Sequence, residues 1–575
     1  MTLVNDAMLS ILNSCFVINS TNVILSGDID DTTITNFHHF DSMLSLIIKN
    51  SVNNSERFFL FERQPVFIIV APTFDQLRDS IASLRTCSLW DINQPFFILH
   101  KYNCKTAFEF LRQAWRYNLL MSFFICYSKN GHVKILAFNP YSNLAPDNWQ
   151  PVDYVVPYMK HPWTLYQQKV NQIDDNFCGK LLWNKATKLD GYEVRAIGTR
   201  SKNSLLINSD NKSVKNWHGA DGEFLKILFM AMNVTVTVTY YPNGSLGYID
   251  KHGNPWGTFV PLAMGEQDVL VNSVFLQRLK NSTIVRLNRI SGIKFVTKQK
   301  PNMSSLEKLV RFFGLDLFFA TLIITIMTFF VLRFAEKQSS AETLLEIVRL
   351  LANGALLKPP RWLSVRIYLG PVLFYYLLFQ TEMQGLLDSV LTKSIPHENL
   401  NTVKDLKLSK DYKLFAPKAL IFFLEEEIQR RCIPTKTLYC VDEVINNLTN
   451  VCISSESGLI VSTFSHNLHM SREQLYSSFK IYLIRKDWPL QRRFQWYVLA
   501  IEEFGFYEFW KQRSMNYSIE KIKNRKIQDN LPAFEIITSD DLAFAFEGLV
   551  LGLTCALFSF FIEIKIKKVI ILKFR

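Results

Sequence analysis

Three long apolar runs interrupt an otherwise mixed pattern of hydrophobic and polar positions: Leu317–Leu332, Ile367–Leu387 and Leu542–Ile562. Each approaches the roughly 20 residues that a helix needs to cross a bilayer. Each also carries one acid near an end, Asp316, Glu382 or Glu547, where the cost of a charge is lowest. The first two runs are neighbours, and the third follows a long polar stretch. This spacing suits a channel whose water-facing binding region is interrupted by its pore, and it does not suit a many-span transporter.

Charge gives the runs an expected direction. Arg333, Lys337, Arg349, Lys358, Arg361 and Arg366 flank the inner ends of the first two, and Lys565, Lys567, Lys568, Lys573 and Arg575 follow the third. Basic flanks stay cytoplasmic, which places the N-terminal region and residues 393–541 outside. Asn-X-Ser/Thr sequons occur at Asn19, Asn53, Asn211, Asn233, Asn243, Asn281, Asn302, Asn447 and Asn516, all within the regions expected outside.

Between the first two runs lies the moderately apolar Leu344–Leu357, too short to span. It must start and end on the cytoplasmic side. A re-entrant helix lining a water-filled pore does this; an amphipathic helix lying on the membrane surface is the alternative.

The water-facing parts have an α/β pattern. Strand-like runs at Pro65–Ala71, Pro95–Leu99, Met121–Tyr127 and Val133–Phe138 are interleaved with helix-like Phe74–Arg85 and Lys105–Tyr117, which predicts a parallel sheet covered on both faces. From residue 187 the pattern reads as strand Tyr192–Gly198, helix Gly222–Met232 with Asp221 near its cap, and strand Val234–Tyr241. After the second run it resumes with helices at Val403–Leu408, Ala419–Arg431 and Val441–Leu448, strands at Val451–Ser454 and Ile481–Arg485, and a long helix Leu490–Arg513. Two α/β lobes interrupted by a pore form a cleft that can close on a ligand.

Composition narrows the class. A net charge of +13 is spread along the chain without a basic block interleaved with aromatics, which argues against nucleic acid. The nine cysteines show no CxxC spacing; an outside location permits disulfides, with one pair expected among Cys432, Cys440 and Cys452. No GxSxG, phosphate loop or HExxH is present, so no enzyme activity and no cofactor are expected. His38-His39 reads as a solvated loop. Ala7–Ile18 is a weak candidate for a signal sequence, lacking a basic flank and a small-residue cleavage site.

Four stretches carry a family resemblance: Gly253-Asn254-Pro255-Trp256-Gly257 with Leu262 and Asp268; Pro360–Ile367; Tyr482–Trp510, with Asp487-Trp488-Pro489-Leu490, Glu502 and Phe504-Gly505; and Leu542–Ile564. Their order resembles the ionotropic glutamate receptors, and more closely the divergent insect ionotropic receptors of chemosensation, over roughly residues 187–575. Residues 1–186, read from their own pattern as an extracellular α/β N-terminal domain, have no clear counterpart to the glutamate receptors' large amino-terminal domain; with them the resemblance implies a multi-domain membrane protein. A two-lobe α/β ligand-binding domain (187–308 and 393–537) is split by an α-helical pore. The pore comprises a first span (309–335), a cytoplasmic segment with a re-entrant loop (336–361), a second span with the gate (362–392) and a last span (538–564), before a cytoplasmic tail (565–575).

Departures from the family limit the ligand. The arginine that holds an amino-acid carboxylate has only Arg278 and Lys280 as candidates, the second lobe's anion-binding turn is replaced by Ala416-Pro417-Lys418-Ala419, and the acid that grips the amine is matched by Glu456. Glutamate is therefore not the expected ligand; a neutral one is. At the gate, Glu382, Met383, Gln384, Leu386 and Asp388 stand where the family has a small-residue run, and the two acids form cation-attracting rings if they face the pore. The filter is expected near Asn353-Gly354. The reading is a ligand-gated cation channel subunit in the plasma membrane of a sensory neuron, with a small-molecule ligand, membrane lipid and co-receptor subunits of a heterotetramer as partners. The alternative is a non-conducting subunit that sets ligand choice; a transporter is a remote third.

Overall fold

In the computed structural model, the residues described are 2–16, 21–30, 33–34, 37, 45–49, 64–87, 89–128, 131–152, 163–170, 175–199, 206–207, 217–241, 246–304, 307–308, 311, 315–335, 339–352, 354–357, 359–392, 397–435, 440–528 and 543–573. His38, His39, Asn353 and the sequons at Asn19, Asn53, Asn211 and Asn243 lie outside them.

An eight-stranded sheet comes first: β1 (Thr21–Gly27), β2 (Ser45–Lys49), β3 (Gln64–Val70), β4 (Phe96–Asn103), β5 (Ser122–Tyr127), β6 (Val133–Asn139), β7 (Gln150–Pro151) and β8 (Thr164–Lys169), in the order β2-β1-β3-β4-β5-β6-β8-β7. Strands β1 to β5 are parallel, but β6, β7 and β8 are antiparallel additions. The all-parallel expectation fails here because β5 and β6 are joined by a tight turn at Ser128–His132, which reverses the chain. Alternation along β3 buries Phe67 and Ile69 on one face against helices Phe74–Leu84 and Ala107–Arg116, and Val66 and Ile68 on the other.

That second face is covered by the helix Thr2–Cys15, which contains most of the run read as a signal candidate. Its Val4, Met8, Ile11 and Leu12 fall on one helical stripe and are buried, and Cys15 is disulfide-bonded to Cys178. A second disulfide, Cys104–Cys126, ties the start of the 107–116 helix to β5.

A ten-stranded sheet follows, flanked by two short ribbons. Its elements include β9 (Glu193–Gly198), the ribbon β10 (Leu206–Ile207) with β11 (Trp217–His218), β12 (Thr235–Tyr240), and the ribbon β13 (Tyr248–Ile249) with β14 (Pro255–Trp256). Then come β15 (Val269–Leu270), β16 (Val274–Phe275) and β17 (Ser282–Lys298). After the first two apolar helices come β18 (Lys413–Pro417), β19 (Cys432–Thr435), β20 (Asn450–Ser455), β21 (Leu468–Met470) and β22 (Tyr476–Arg485). The order β12-β9-β15-β22-β17-β20-β18-β19 makes β17 and β22 the shared spine of two halves. At 17 residues, β17 pairs with β22 over its first part and with β20 and β21 over its last.

Each half has its own core. The first gathers Phe224, Leu228, Trp488 and Phe494; the second gathers Phe295, Leu414, Leu420 and Ile453. The Cys440–Cys452 disulfide pins the helix Cys440–Asn446 to β20, so the expected pair within that trio forms and Cys432 stays free. Three local expectations are corrected. Gly219, at φ 87°, caps the helix Ala220–Met232, and Asp221 is buried inside its first turn. The stretch Ala419–Arg431 breaks into Lys418–Ile421 and Glu426–Arg431. The long C-terminal helix breaks at Gly505, φ 70°, into Gln491–Glu503 and Phe506–Gln528, because that backbone conformation ends a helix and is open to glycine.

Among the described residues, three helices are long and apolar enough to cross a membrane: Leu315–Ala335, Leu363–Thr392 and Ala543–Lys573. The first two are joined by side-chain hydrogen bonds, Thr321–Tyr375 at 2.7 Å, Thr325–Tyr376 at 3.0 Å and Thr328–Tyr368 at 3.3 Å. Such bonds contribute about 0.6–2 kcal/mol each where water is excluded. Of the stretch Leu344–Leu357, residues 344–351 belong to the helix Ser340–Leu351, opened by a Ser339–Glu342 capping box and packed through Ile347 and Leu350 on the first two. Between Phe546 and Lys565 every residue of the third helix is exposed in the single chain.

Candidate functional site

The two halves of the second sheet face each other across a cleft over the spine. Its larger chamber holds about 350 Å³. Asn272 and Ser273 line it from the first half, Arg289 and Ser291 from β17, and Ser455 and Ser457 from the second half. Tyr507, Lys511 and Met515, on the 506–528 helix that precedes the third apolar helix, complete the wall. A narrower apolar slot of about 60 Å³ opens beside it, lined by Val274 and Phe275 on one side and Pro417, Leu420 and Phe423 on the other. Leu246, Ser273, Ser455 and Lys480 border both spaces.

Strand register puts two cations at this junction. The β17–β22 ladder shifts between Arg286, opposite Ile481, and Ile290, opposite Phe479. Residues Leu287, Asn288 and Arg289 therefore bulge opposite Lys480 alone. Bulges re-aim side chains, and here the bulge turns Arg289 into the chamber. On its other side, Lys480 pairs across β22 with Phe275 of β16, and its Nζ stands 3.9 Å from the centre of that ring.

The acids nearby are already engaged. Asp221 accepts from the Ser273 backbone N–H at 3.1 Å, the Ser273 hydroxyl at 2.9 Å and the Tyr482 hydroxyl at 3.0 Å. Glu502 accepts from the Asn288 N–H at 2.6 Å and from Arg289 Nε. The Arg289 guanidinium lies 3.2 Å over the Tyr507 ring, and its Nη1 comes only within 3.9 Å of Asp221. Both Arg289 Nη atoms are buried, with the Tyr507 hydroxyl and the Asp221 carboxylate as polar neighbours.

Electrostatics follow from this burial. Desolvation opposes the Arg289 charge, but Tyr482, Tyr507, Asp221 and Glu502 together hold its pKa above the ordinary value, so it is a permanent cation. Burial pulls the Lys480 ammonium down to about 8, against Asp221, which favours the charge, and together with Arg289, which opposes it. Burial raises the Tyr482 and Tyr507 hydroxyls, reinforced by Asp221, so both remain neutral.

Gly247 lines the slot, and its backbone N–H donates to the Thr258 hydroxyl at 2.9 Å. A Cβ there would meet the Phe259 ring at 2.2 Å, so the close approach requires glycine. The adjoining Gly253–Gly257 motif is organised by Asp250, which accepts from the His252 and Asn254 N–H groups and from Trp256 Nε1 at 3.2 Å.

The residues singled out from sequence are placed differently. Arg278 and Lys280 are exposed, and neither lines the chamber or the slot. Glu456 starts the helix Glu456–His466 but is tied to Lys294 Nζ at 2.8 Å and Gln474 Nε2 at 3.2 Å, while Ser455 and Ser457 on either side face the chamber. Glu382 and Gln384 are exposed on the second apolar helix, Met383 and Leu386 are half-buried, and the Asp388 side chain lies outside the described residues. Gly354 donates its N–H to Arg349 O at 2.8 Å, just after the 340–351 helix. Asn233, Asn281, Asn302, Asn447 and Asn516 are all exposed.

Sequence reasoning missed Arg289, Lys480 and Asp221. A signal for Arg289 was present: in Val285-x-Leu287-x-Arg289 the two apolar residues are buried, and the arginine takes the next inward position of the alternation. No protein-family model matches this chain, and no curated protein matches it.

Proposed function

We propose that this chain is a subunit of a ligand-gated cation channel, with the interlobe cleft as its ligand site and chemosensation as its role. One observation carries the reading. A single sheet is folded into two halves around β17 and β22, and the chain leaves it after β17 for two membrane-competent helices before returning to build the second half. The 506–528 helix, which lines the cleft, precedes the third. Ligand contacts in the cleft are thus connected by short chain segments to all the candidate spans, which is the arrangement that turns hinge closure into pull on a pore.

The cysteines support the orientation. All three disulfides fall in the regions that the charge pattern places outside, and Cys555, within the third apolar helix, is free. Co-expression with broadly expressed co-receptor subunits, followed by current recording against a small-molecule panel, tests the proposal. Currents that depend on this chain are expected. Currents identical to those of the co-receptors alone, with this chain at the cell surface, would overturn it.

A further inference from the structure

A carboxyl group short of partners lies where the first two apolar helices are joined. Glu346, on the helix Ser340–Leu351, is 9% exposed. Its Oε1 accepts the Leu357 N–H at 3.4 Å, whereas its Oε2 is buried with no hydrogen-bond partner among the described residues. Glu346 also lines a cavity of about 460 Å³, set between Leu332 near the end of the first apolar helix and Leu356, Leu357, Pro359, Pro360 and Arg361, which precede the second. We infer that this cavity is a ligand site separate from the cleft, and that it takes one ammonium group on a compact apolar body.

A buried acceptor left unmatched carries the full cost of its lost hydration. The other charged groups at the cavity do not relieve it. Glu342, one turn earlier, accepts the Ser339 N–H at 3.1 Å as part of the capping box. Arg361 borders the cavity but is exposed and forms no ion pair with Glu346. An ammonium brings three N–H donors and no acceptor, and its charge-assisted bond to a carboxylate is about twice as strong as a neutral one. The terminal torsion of a glutamate is broad and roughly two-fold. Rotation about the Cγ–Cδ bond therefore turns the unmatched oxygen toward an occupant without moving the helix.

The remaining walls fix the rest of the molecule. Leu332, Leu345, Leu356, Pro359 and Pro360 offer no side-chain hydrogen bond, so the ligand beyond its nitrogen must be apolar. Arg361 at the same wall repels a second cation, which sets a monoamine above a diamine. The walls come from the first apolar helix, the 340–351 helix and the segment before the second apolar helix, so an occupant ties the three together.

The test uses the purified full chain in nonionic detergent at constant ionic strength, with probes that share one ring: cyclohexylmethylamine, cyclohexylmethanol and cyclohexanecarboxylate. Putrescine serves as the diamine and ammonium chloride as the bare cation. Ligand binding raises thermal stability by mass action. The ring amine is expected to raise the melting temperature at millimolar concentration, with every other probe weaker by about tenfold or more. Glu346→Gln keeps the size of the side chain and the acceptor for Leu357, so it should fold, and it should weaken the ring amine by about tenfold or more. Leu345→Trp, at an exposed position, keeps the carboxyl group but fills the space, and should weaken the ring amine likewise. No effect of the ring amine, an equal effect of the alcohol, the carboxylate, putrescine or ammonium, or unchanged binding of the ring amine in either variant would overturn the inference. The outcome is independent of the currents expected from the cleft.

Discussion

Tyr248 and Phe422 stack across the mouth of the cleft, with ring centres 5.7 Å apart and planes 17° from parallel. Tyr248 belongs to the β13–β14 ribbon of the first half, where it also stacks on Trp256; Phe422 follows the short helix Lys418–Ile421 of the second. The two halves therefore touch at the rim as well as along the spine.

Such a ring pair contributes about 0.5–1.5 kcal/mol beyond its buried area. If the pair holds the cleft closed, Phe422→Ala should weaken binding of a cleft ligand by about threefold to tenfold while leaving surface expression intact. Titration of the purified variant with the strongest agonist of the small-molecule panel measures this. An unchanged midpoint would show that the rim contact does not contribute to closure.

Lys185 gives a pH effect in the first sheet's core. It is 1% exposed, donates to Leu120 O at 2.7 Å and is ringed by Phe123, Phe138 and Trp183. Burial lowers its pKa to about 7. The unfolded chain then holds more protons than the folded one between pH 7 and about 10.5, so this group makes stability rise with pH across that window, by up to about 1.4 kcal/mol per unit. Denaturant titrations of wild type and Lys185→Met at several pH values should diverge with that slope. Parallel stability curves would show that Lys185 does not titrate as its burial requires.

The orientation is testable in intact cells. An epitope inserted in 455–480 should label without permeabilisation, and one at the C-terminus only after it. Labelling of both in intact cells would rule out the proposed arrangement of the three apolar helices.

What could be read in advance divides along physical lines. The apolar helices and strands such as Gln64–Val70, Val133–Asn139, Glu193–Gly198 and Thr235–Tyr240 were legible because hydrophobic period and length depend on local sequence. The run Ala7–Ile18 was only a weak leader candidate in sequence, because an apolar stripe of that length fits a leader and a packed helix equally well; in the fold its Met8 and Ile11 pack against the first sheet. The second core's spine was missed because β17 mixes Arg286, Asn288, Arg289 and Lys294 into its apolar positions, which hides a 17-residue strand. The candidate site was missed for the same reason. Arg289 reaches the cleft through a bulge, and Lys480 is chosen by its cross-strand neighbours, Phe275 and the bulge itself. The alternation from Val285 and Leu287 points Arg289 inward, but its meeting with Lys480 is a property of register between segments nearly two hundred residues apart, and no local pattern encodes that.

The unbroken passage of β17 through both halves has a mechanical consequence. A rotation of one half against the other has no slack loop in which to dissipate along this strand; it must twist a hydrogen-bonded ribbon running ~55 Å. Under the proposed cleft closure the ribbon acts as a torsion spring, storing work as the halves swing and returning it as they part. Arg289 sits at the irregular point of that spring, where the ladder is already interrupted and bending is easiest. The same bulge lines the cleft, so a substitution that stiffens it should also change how long a cleft ligand stays bound.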